Sequence, residues 1–351
     1  MIRICSSLQA AGYEVMLVGR KRRQSLPLVE RPFQQHRINC HFEAGKLFYL
    51  EFNLRLLKYL WQHPANIINS VDLDTLLPGY LVSRLRTKTQ CVYDAHEYFT
   101  EVPEVTRRPL VQRIWSALAT WVIPQLKYAY TVGPALARIF EERYGTPFTV
   151  VRNVPVRRPV PDRNEVQEGM LLYQGMLNEG RGLEVAIKAM KLLPAHFQLT
   201  LVGSGDVENE LKALTVNEGL TDRVHFTGFI QPDELPKYTR QAWLGLNLLE
   251  NTGLSYYYSL ANKAFDYIQS HCPSVQMAFP EYAALQEEYG CFLLLEALEP
   301  STLAQLILGV ANDPTAYRTL VARNAKAAEQ LCWENEEREL FHLYQQVLKA
   351  H

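Results

Sequence analysis

Apolar positions along this chain follow two periods, short runs of strand length and recurrences at helical spacing, and the two alternate from end to end. The clearest helical spacing is Leu260, Ala264, Phe265 and Ile268, which predicts a helix starting near Ser259 with Ser259 as its N-cap. Apolar runs over residues 243–249 and 274–278 predict strands on either side of it. In the first half, residues 1–11 read as an amphipathic helix (Ile2, Cys5, Leu8) closed by Gly12. Strands follow at 13–19, 66–70, 90–94, 128–132 and 148–151, with helices at 47–61, 109–126 and 134–144. Another helix opens at 71–75 with Asp74 as N-cap. Residues 152–161 are proline-rich and polar, with no apolar period, and read as a linker. The alternation then restarts, with strands at 170–173, 197–202 and 224–226, and a helix running to Leu193. The chain after Pro300 reads as helical to the end, broken near Asp313-Pro314, and its last helix carries Leu340, Leu343 and Val347 on one face.

This pattern predicts an α/β protein of two Rossmann-like, doubly wound parallel-sheet domains facing a cleft. The boundaries it gives are 1–152, a linker 153–168, 169–333, and a final helix 334–351.

Length and composition agree: 351 residues suffice for two cores, and 48% hydrophobic with 21% charged residues is ordinary for globular chains. No apolar run reaches membrane-spanning length and no signal peptide is legible. The six cysteines are scattered without a C-x-x-C, which argues for a reducing, cytoplasmic setting and against a disulfide framework or a cysteine metal site. Charge is lopsided. Residues 1–152 hold 20 Lys and Arg against 12 Asp and Glu (+8), and residues 153–351 hold 16 against 25 (−9). A basic first half suits an anionic partner, either the inner face of a membrane as a peripheral contact or a lipid-linked acceptor. Mutual attraction of two oppositely charged halves is the alternative. Nucleic acid is excluded as a partner because the cations are dispersed and no nucleic-acid motif occurs.

Candidate chemistry gathers at predicted strand ends. A helix start exposes free N–H groups that suit a phosphate, and Lys263 and Asp266 lie about one turn in, placed for phosphate and a ribose hydroxyl. A buried amphipathic helix with one lysine at its edge is the plainer reading. Gly175 within the 174–182 loop, and Gly203-Ser204-Gly205, sit at strand-to-helix turns where backbone can approach phosphate. Asp94, His96 and Glu97 end a strand, the place where open α/β sheets bind ligands. Asp72 and Asp74 form a D-x-D, whose two hard oxygens suit a divalent metal, but helix capping accounts for them and no metal is assigned. Arg20 to Arg23 form a basic tetrad on a loop. Trp115 and Trp121, near Arg107, Arg108 and Arg113, fit a membrane interface, with core packing expected for at least one of the two rings.

S-L-x-N-K-x-F-x-Y, residues 259–267, resembles the donor-nucleotide helix of the family 4 retaining glycosyltransferases, which have the GT-B fold. The resemblance extends over nearly the whole chain. V-Y-D-A-H-E, residues 92–97, is similar to the motif whose histidine faces the donor sugar, which implies that role for His96, with Asp94 and Glu97 on the acceptor side. The loops holding Gly175, Gly203 and Gly205 resemble those around the donor. Arg181 takes the place of the family's diphosphate lysine, whereas Met176 stands where an arginine is usual, so Lys263 is the other implied cation. Asp266 stands where a glutamate holds the ribose, and Tyr258 replaces the glutamate that contacts the sugar. Ser259, Leu260 and Asn262 belong to the same donor-binding stretch. Gly228 and Phe229 fall beside the base, a core phenylalanine being the alternative. R-I-C-S-S-L-Q-A-A-G-Y-E-V, residues 3–15, resembles the family's first helix and second strand, so the first strand is expected to be absent. The resemblance implies sugar transfer from a nucleotide diphosphate sugar to a saccharide or lipid-linked acceptor with retention, no cofactor, and a last helix returning to the first domain. A nucleotide-sugar 2-epimerase of the same architecture and a truncated, non-catalytic nucleotide-sugar-binding protein are the alternatives.

Overall fold

The computed structural model describes residues 1–349, the side chain of Arg163 excepted. The chain divides into two compact units, Met1–Arg152 together with the chain from Glu336 onward, and Asn153–Asn335.

The first unit opens with α1 (Ile2–Ala10), β1 (Met16–Lys21), β2 (Gln34–Asn39) and α2 (Gly45–Gln62). It continues through β3 (Ile67–Val71), α3 (Leu73–Leu85), β4 (Gln90–Ala95), α4 (Pro103–Thr106), α5 (Pro109–Val122), β5 (Tyr128–Thr131), α6 (Pro134–Tyr144) and β6 (Thr149–Val150). All pairings are parallel, but they form two sheets, β1-β2 and β3-β4-β5-β6. Parallel strands buried on both faces need unbroken apolar runs, and β4 shows one, with Cys91 through Ala95 all buried.

Two expectations shift here. The basic tetrad is not confined to a loop. Arg20 and Lys21 close β1, and Arg20 lies 3.8 Å over the Phe48 ring with its guanidinium 3.0 Å from Glu43. Asp74 does not cap α3. Asp72 takes the N-cap place, with φ +56° and ψ 169°, while Asp74 sits in the first turn. β2 is not legible in the sequence, because Gln34-Gln35-His36-Arg37 shows no apolar alternation.

The second unit carries β7 (Met170–Gln174), α7 (Leu183–Ala189), β8 (Gln198–Val202), α8 (Glu208–Asn217), β9 (Val224–Gly228), α9 (Leu235–Gln241) and β10 (Leu244–Asn247). Then come α10 (Leu254–Tyr257), α11 (Asn262–Gln269), β11 (Ser274–Met277), α12 (Pro280–Tyr289), β12 (Phe292–Leu295), α13 (Pro300–Ala311), α14 (Pro314–Gln330) and α15 (Trp333–Lys349). Its sheet is fully parallel in the order β12-β11-β10-β7-β8-β9, the dinucleotide-fold order, whose strand order reverses between β7 and β10. The last helix starts in this unit and joins the first from Glu336 on, and its two final predicted residues lie outside the described ones.

Candidate active site

One side chain places the pivotal helix. The Tyr267 hydroxyl donates to Leu172 O (3.0 Å) and is 3.2 Å from Leu246 O, spanning β7 and β10. Its ring lies where a Cβ on Gly245 would come within 2.7 Å, so that glycine admits the tyrosine. Seated this way, α11 starts beside the carboxyl ends of β7 and β10.

The helix starts later than its spacing predicts. Ala261, not Ser259, is the N-cap, and Ser259 Oγ instead donates to Tyr256 O (2.8 Å). The reason is local: residues 254–257 form the separate turn α10, and the Ala261 N–H is taken by the Tyr282 hydroxyl (2.9 Å). Leu260 is buried, and Asn262 opens the helix, its Oδ1 accepting from Asn153 (3.0 Å). Lys263 therefore lies in the first turn, where helix N–H groups lack intrahelical partners.

Lys263 is half-buried rather than at an exposed edge. Its Nζ lies 3.9 Å from the Tyr173 ring centroid, and a Cβ on Gly175 would lie 3.3 Å from it. Burial, followed by the charge of Arg181, holds its pKa well below the ordinary lysine range. Arg181 stacks 5.2 Å from the Tyr256 ring centroid, and its buried Nε has no hydrogen-bond partner. Among the described residues neither cation has a carboxylate in ion-pair range. Two basic groups side by side without a counterion disfavour charge on both, and a bound anion relieves that cost.

Asp266 is gripped from two directions. Arg158 Nη2 lies 2.6 Å from Oδ1, and Gln174 Nε2 donates to Oδ2 (3.1 Å). Thr239 in turn donates to Gln174 Oε1 (2.9 Å), and the Arg158 N–H donates to Gln269 Oε1 (3.1 Å). The glycine loops are laced together by Gly175 N–H to Val202 O (2.9 Å) and Leu177 N–H to Ser204 O (3.0 Å). A Cβ on Gly203 would overlap Gly175 O, and one on Gly205 would overlap Leu177 O, so loop-on-loop packing alone demands both glycines. Gly203 N–H donates to Gly228 O (3.0 Å), which ties in the end of β9. The next residue, Phe229, is 66% exposed, so it is not a core ring, and Met176 is also exposed.

In the first unit, Asp94 is fully buried at the end of β4. Its Oδ2 accepts from the Tyr130 hydroxyl (2.7 Å) and faces His96 Nε2 (3.1 Å). Asn69 Nδ2 donates to the same tyrosine oxygen (3.1 Å). Asp72 Oδ1 accepts from the His96 backbone N–H (2.9 Å), which fixes Asp72 in a backbone region that side chains other than glycine rarely adopt, at a cost of about 1–3 kcal/mol. Burial by itself lowers the His96 pKa. The hydrogen bond and charge of Asp94, then the charge of Asp72, outweigh it and leave the pKa above the ordinary value. Burial raises Asp72 to about 7, Asp74 to about 6, and Glu97 above its ordinary value, the last aided by Glu104 and Asp74. Among the described residues no group of three His, Cys, Asp or Glu is arranged to hold a metal.

Each unit thus brings its own predicted residues together: Lys263, Arg181, Asp266 and the laced glycines in one, Asp94, His96 and Asp72 in the other. The sequence reading missed Arg158, Gln174, Tyr173 and Tyr130. Arg158 lies in an aperiodic linker, and Tyr130 reaches Asp94 through a strand register, Tyr130 opposite Asp94, that no local pattern specifies.

Residues 1–155 match the model of Glycosyltransferase Family 4, and residues 168–313 match that of Glycosyl transferases group 1. The chain belongs to the family 4 glycosyltransferases. It is 35% identical over 75 residues, 20% of this chain and 18% of the relative, to the amylovoran biosynthesis glycosyltransferase AmsK of Erwinia amylovora. Such matches span only about a fifth of the length of the curated relatives. In structure the chain is similar to sucrose-phosphate synthase of Thermosynechococcus elongatus, with TM-score 0.82, 19% identity, and 99% and 92% of the two chains covered. It is also similar to HepE of Anabaena in complex with UDP and glucose, with TM-score 0.73, 16% identity, and 90% and 87% covered. These likenesses assign the GT-B fold, two Rossmann-like parallel-sheet domains.

Proposed function

We propose that this family 4 protein transfers a sugar from a nucleoside diphosphate sugar to an acceptor hydroxyl, with retention, in the synthesis of a cell-surface polysaccharide or glycolipid. The observation that carries the reading is the pair Lys263 and Arg181, two neighbouring basic side chains without a carboxylate partner beside the first turn of α11. A diphosphate supplies the missing negative charge. The UDP and glucose held by HepE, and the amylovoran role in the name of AmsK, support the donor class and the polysaccharide setting.

In this reading Asp266 holds the ribose, Phe229 stacks on the base, and Gly175, Gly203 and Gly205 keep the loops close to the diphosphate. When the bond from the sugar to the distal phosphate breaks, the electron pair stays on the phosphate oxygen. Lys263 and Arg181 stabilise that charge, which is worth most in the transition state. The acceptor oxygen bonds to the same face of the sugar, and its proton passes to the departing phosphate. His96, whose pKa Asp94 holds above the ordinary value, donates a hydrogen bond to a sugar hydroxyl, and the first unit binds the acceptor. We place the protein in the cytoplasm, peripheral on the inner face of a membrane, in keeping with the +8 charge of residues 1–152.

Turnover of a nucleotide-sugar panel with saccharide and lipid-linked acceptors, with product anomers read by NMR, tests this. Transfer with an unchanged anomer is expected. Epimerised nucleotide sugar as the only product, or no diphosphate binding by calorimetry, overturns it.

A further inference from the structure

Helix α5 is apolar on two opposite faces. Its inner face is Gln112, Trp115, Ala119 and Val122. Trp115 packs edge-on against Tyr49 (5.5 Å) and Phe99 (5.2 Å), and Ala119 and Val122 are buried. Its outer face repeats at 110, 114, 117 and 121, and there Leu110 is 73%, Ile114 68% and Trp121 53% exposed. A surface helix normally turns its apolar stripe to the core, and this second, outer stripe faces outward, with only the Trp121 ring edge-on to Tyr80 (5.8 Å). A second stripe of exposed residues, Leu47, Leu50 and Leu54, runs along α2, which meets α5 at the Tyr49–Trp115 contact.

The charges around these stripes say what covers them. From Val105 to Phe140 the chain holds five cations, Arg107, Arg108, Arg113, Lys127 and Arg138, and no acid. On α2 the single acid, Glu51, is bound by the N–H groups of His41 and Phe42 and by Arg55, while Lys46 and Lys58 flank the stripe. No helix among the described residues is long and apolar enough to cross a membrane. A helix of 14 residues, about 21 Å long, with an apolar stripe, Arg107 and Arg108 before its start and Arg113 within its first half has the form that lies in a bilayer interface. A second copy is a poor occupant, because a two-fold contact through this face would set each basic set against its twin.

We propose that the outer face of α5 docks on an anionic lipid bilayer, with Leu110, Ile114 and Trp121 entering the acyl boundary and Arg108 and Arg113 meeting lipid phosphates. The inference locates the membrane contact of the function proposed above and rests on that reading.

The test is co-sedimentation of the full chain with vesicles of equal phosphatidylglycerol and phosphatidylcholine, at low and high salt. The wild type should bind, and vesicles of phosphatidylcholine alone should bind about tenfold less or weaker. The triple variant Leu110→Ser, Ile114→Ser, Trp121→Ser should bind about tenfold or more weakly, with an unchanged melting curve. Arg108→Gln and Arg113→Gln should each cost about fivefold at low salt and flatten the salt dependence. Absent binding at low salt, or triple-variant binding equal to wild type, overturns the proposal. So does a lipid-free dimer that the triple variant dissociates, which would make the face a contact between copies. Nucleoside diphosphate titration separates the two readings. The triple variant should bind nucleotide as the wild type does, so wild type that binds nucleotide but no vesicles refutes the docking alone, and absence of nucleotide binding in the wild type refutes the function.

Discussion

Arg158 Nη2 lies 2.6 Å from Asp266 Oδ1, so a residue of the linker orients the carboxylate assigned to the donor ribose. Gln174 fixes the other oxygen, and Thr239 fixes Gln174. A carboxylate held this way meets a ribose diol without first losing its own freedom. Arg158→Ala should therefore weaken binding of a nucleoside diphosphate by about 1–2 kcal/mol, or roughly five- to thirtyfold. The 2′,3′-dideoxy analogue should bind wild type and variant alike. Calorimetry with both ligands decides it, and equal losses for the two would make Arg158 merely structural.

Lys263→Ala should leave the unfolding midpoint unchanged or raise it, because the lysine is desolvated beside Arg181. The substitution should lower kcat by about a hundredfold, as expected when one transition-state contact of roughly 2.7–4 kcal/mol is removed. A depressed lysine also makes ligand binding take up a proton. Its charged form gains as the anion arrives, so the affinity should fall as pH rises between the lysine's free and ligand-bound pKa values. Calorimetry in two buffers of different ionisation enthalpy reads the uptake directly, and no buffer dependence in the wild type would exclude Lys263 as the group.

Most strands are legible because parallel strands are written as unbroken apolar runs, such as Met170-Leu171-Leu172-Tyr173. Boundaries set by tertiary contacts were not. Ser259 has the chemistry of an N-cap, yet the Tyr282 hydroxyl takes the N–H of Ala261, and the cap lies two residues later at Ala261. Asp74 likewise has capping chemistry, but Asp72 is drawn into the N-cap place by its bond to the His96 N–H, 24 residues away. The site residues found early were those carried by motif. Arg158 and Tyr130 act through linker path and strand register, which local spacing does not encode.

The glycine loops separate two costs. Gly203→Ala would drive a Cβ into Gly175 O at φ +138°, and one loop must move. Destabilisation of about 3 kcal/mol or more is expected, with loss of diphosphate binding. Gly228 has φ +71°, but a Cβ added there would meet nothing within 4 Å, so Gly228→Ala should cost only about 1 kcal/mol of backbone strain. Chemical denaturation of the two variants checks the ranking, and equal costs would refute the packing account.

His96 is held above its ordinary pKa by two carboxylates of unequal weight, Asp94 through a hydrogen bond and charge, Asp72 through charge alone. Asp94→Asn should therefore lower the His96 titration midpoint more than Asp72→Asn does, since with Asp94 neutral the effect of burial is least opposed. Stability follows with a defined sign. Asp72 is an acid raised to about 7, so its protonated form is favoured by folding. Its contribution is fully present below the unfolded value of about 3.9 and is lost as pH rises to about 7. His96, raised above 6.5, adds stability below its unfolded value that is lost as pH rises through its folded one. Both act in the same direction, so their joint contribution to stability should fall between pH 5 and 8. Asp72→Asn keeps an acceptor for the His96 N–H and removes the Asp72 titration. It should flatten that fall by an amount on the order of 1–2 kcal/mol, about 2–4 °C per kcal/mol for a unit of this size. Histidine titration by NMR and melting curves at matched pH read the two effects separately. A His96 midpoint unmoved by Asp94→Asn would break the assignment of Asp94 as the group that raises the His96 pKa.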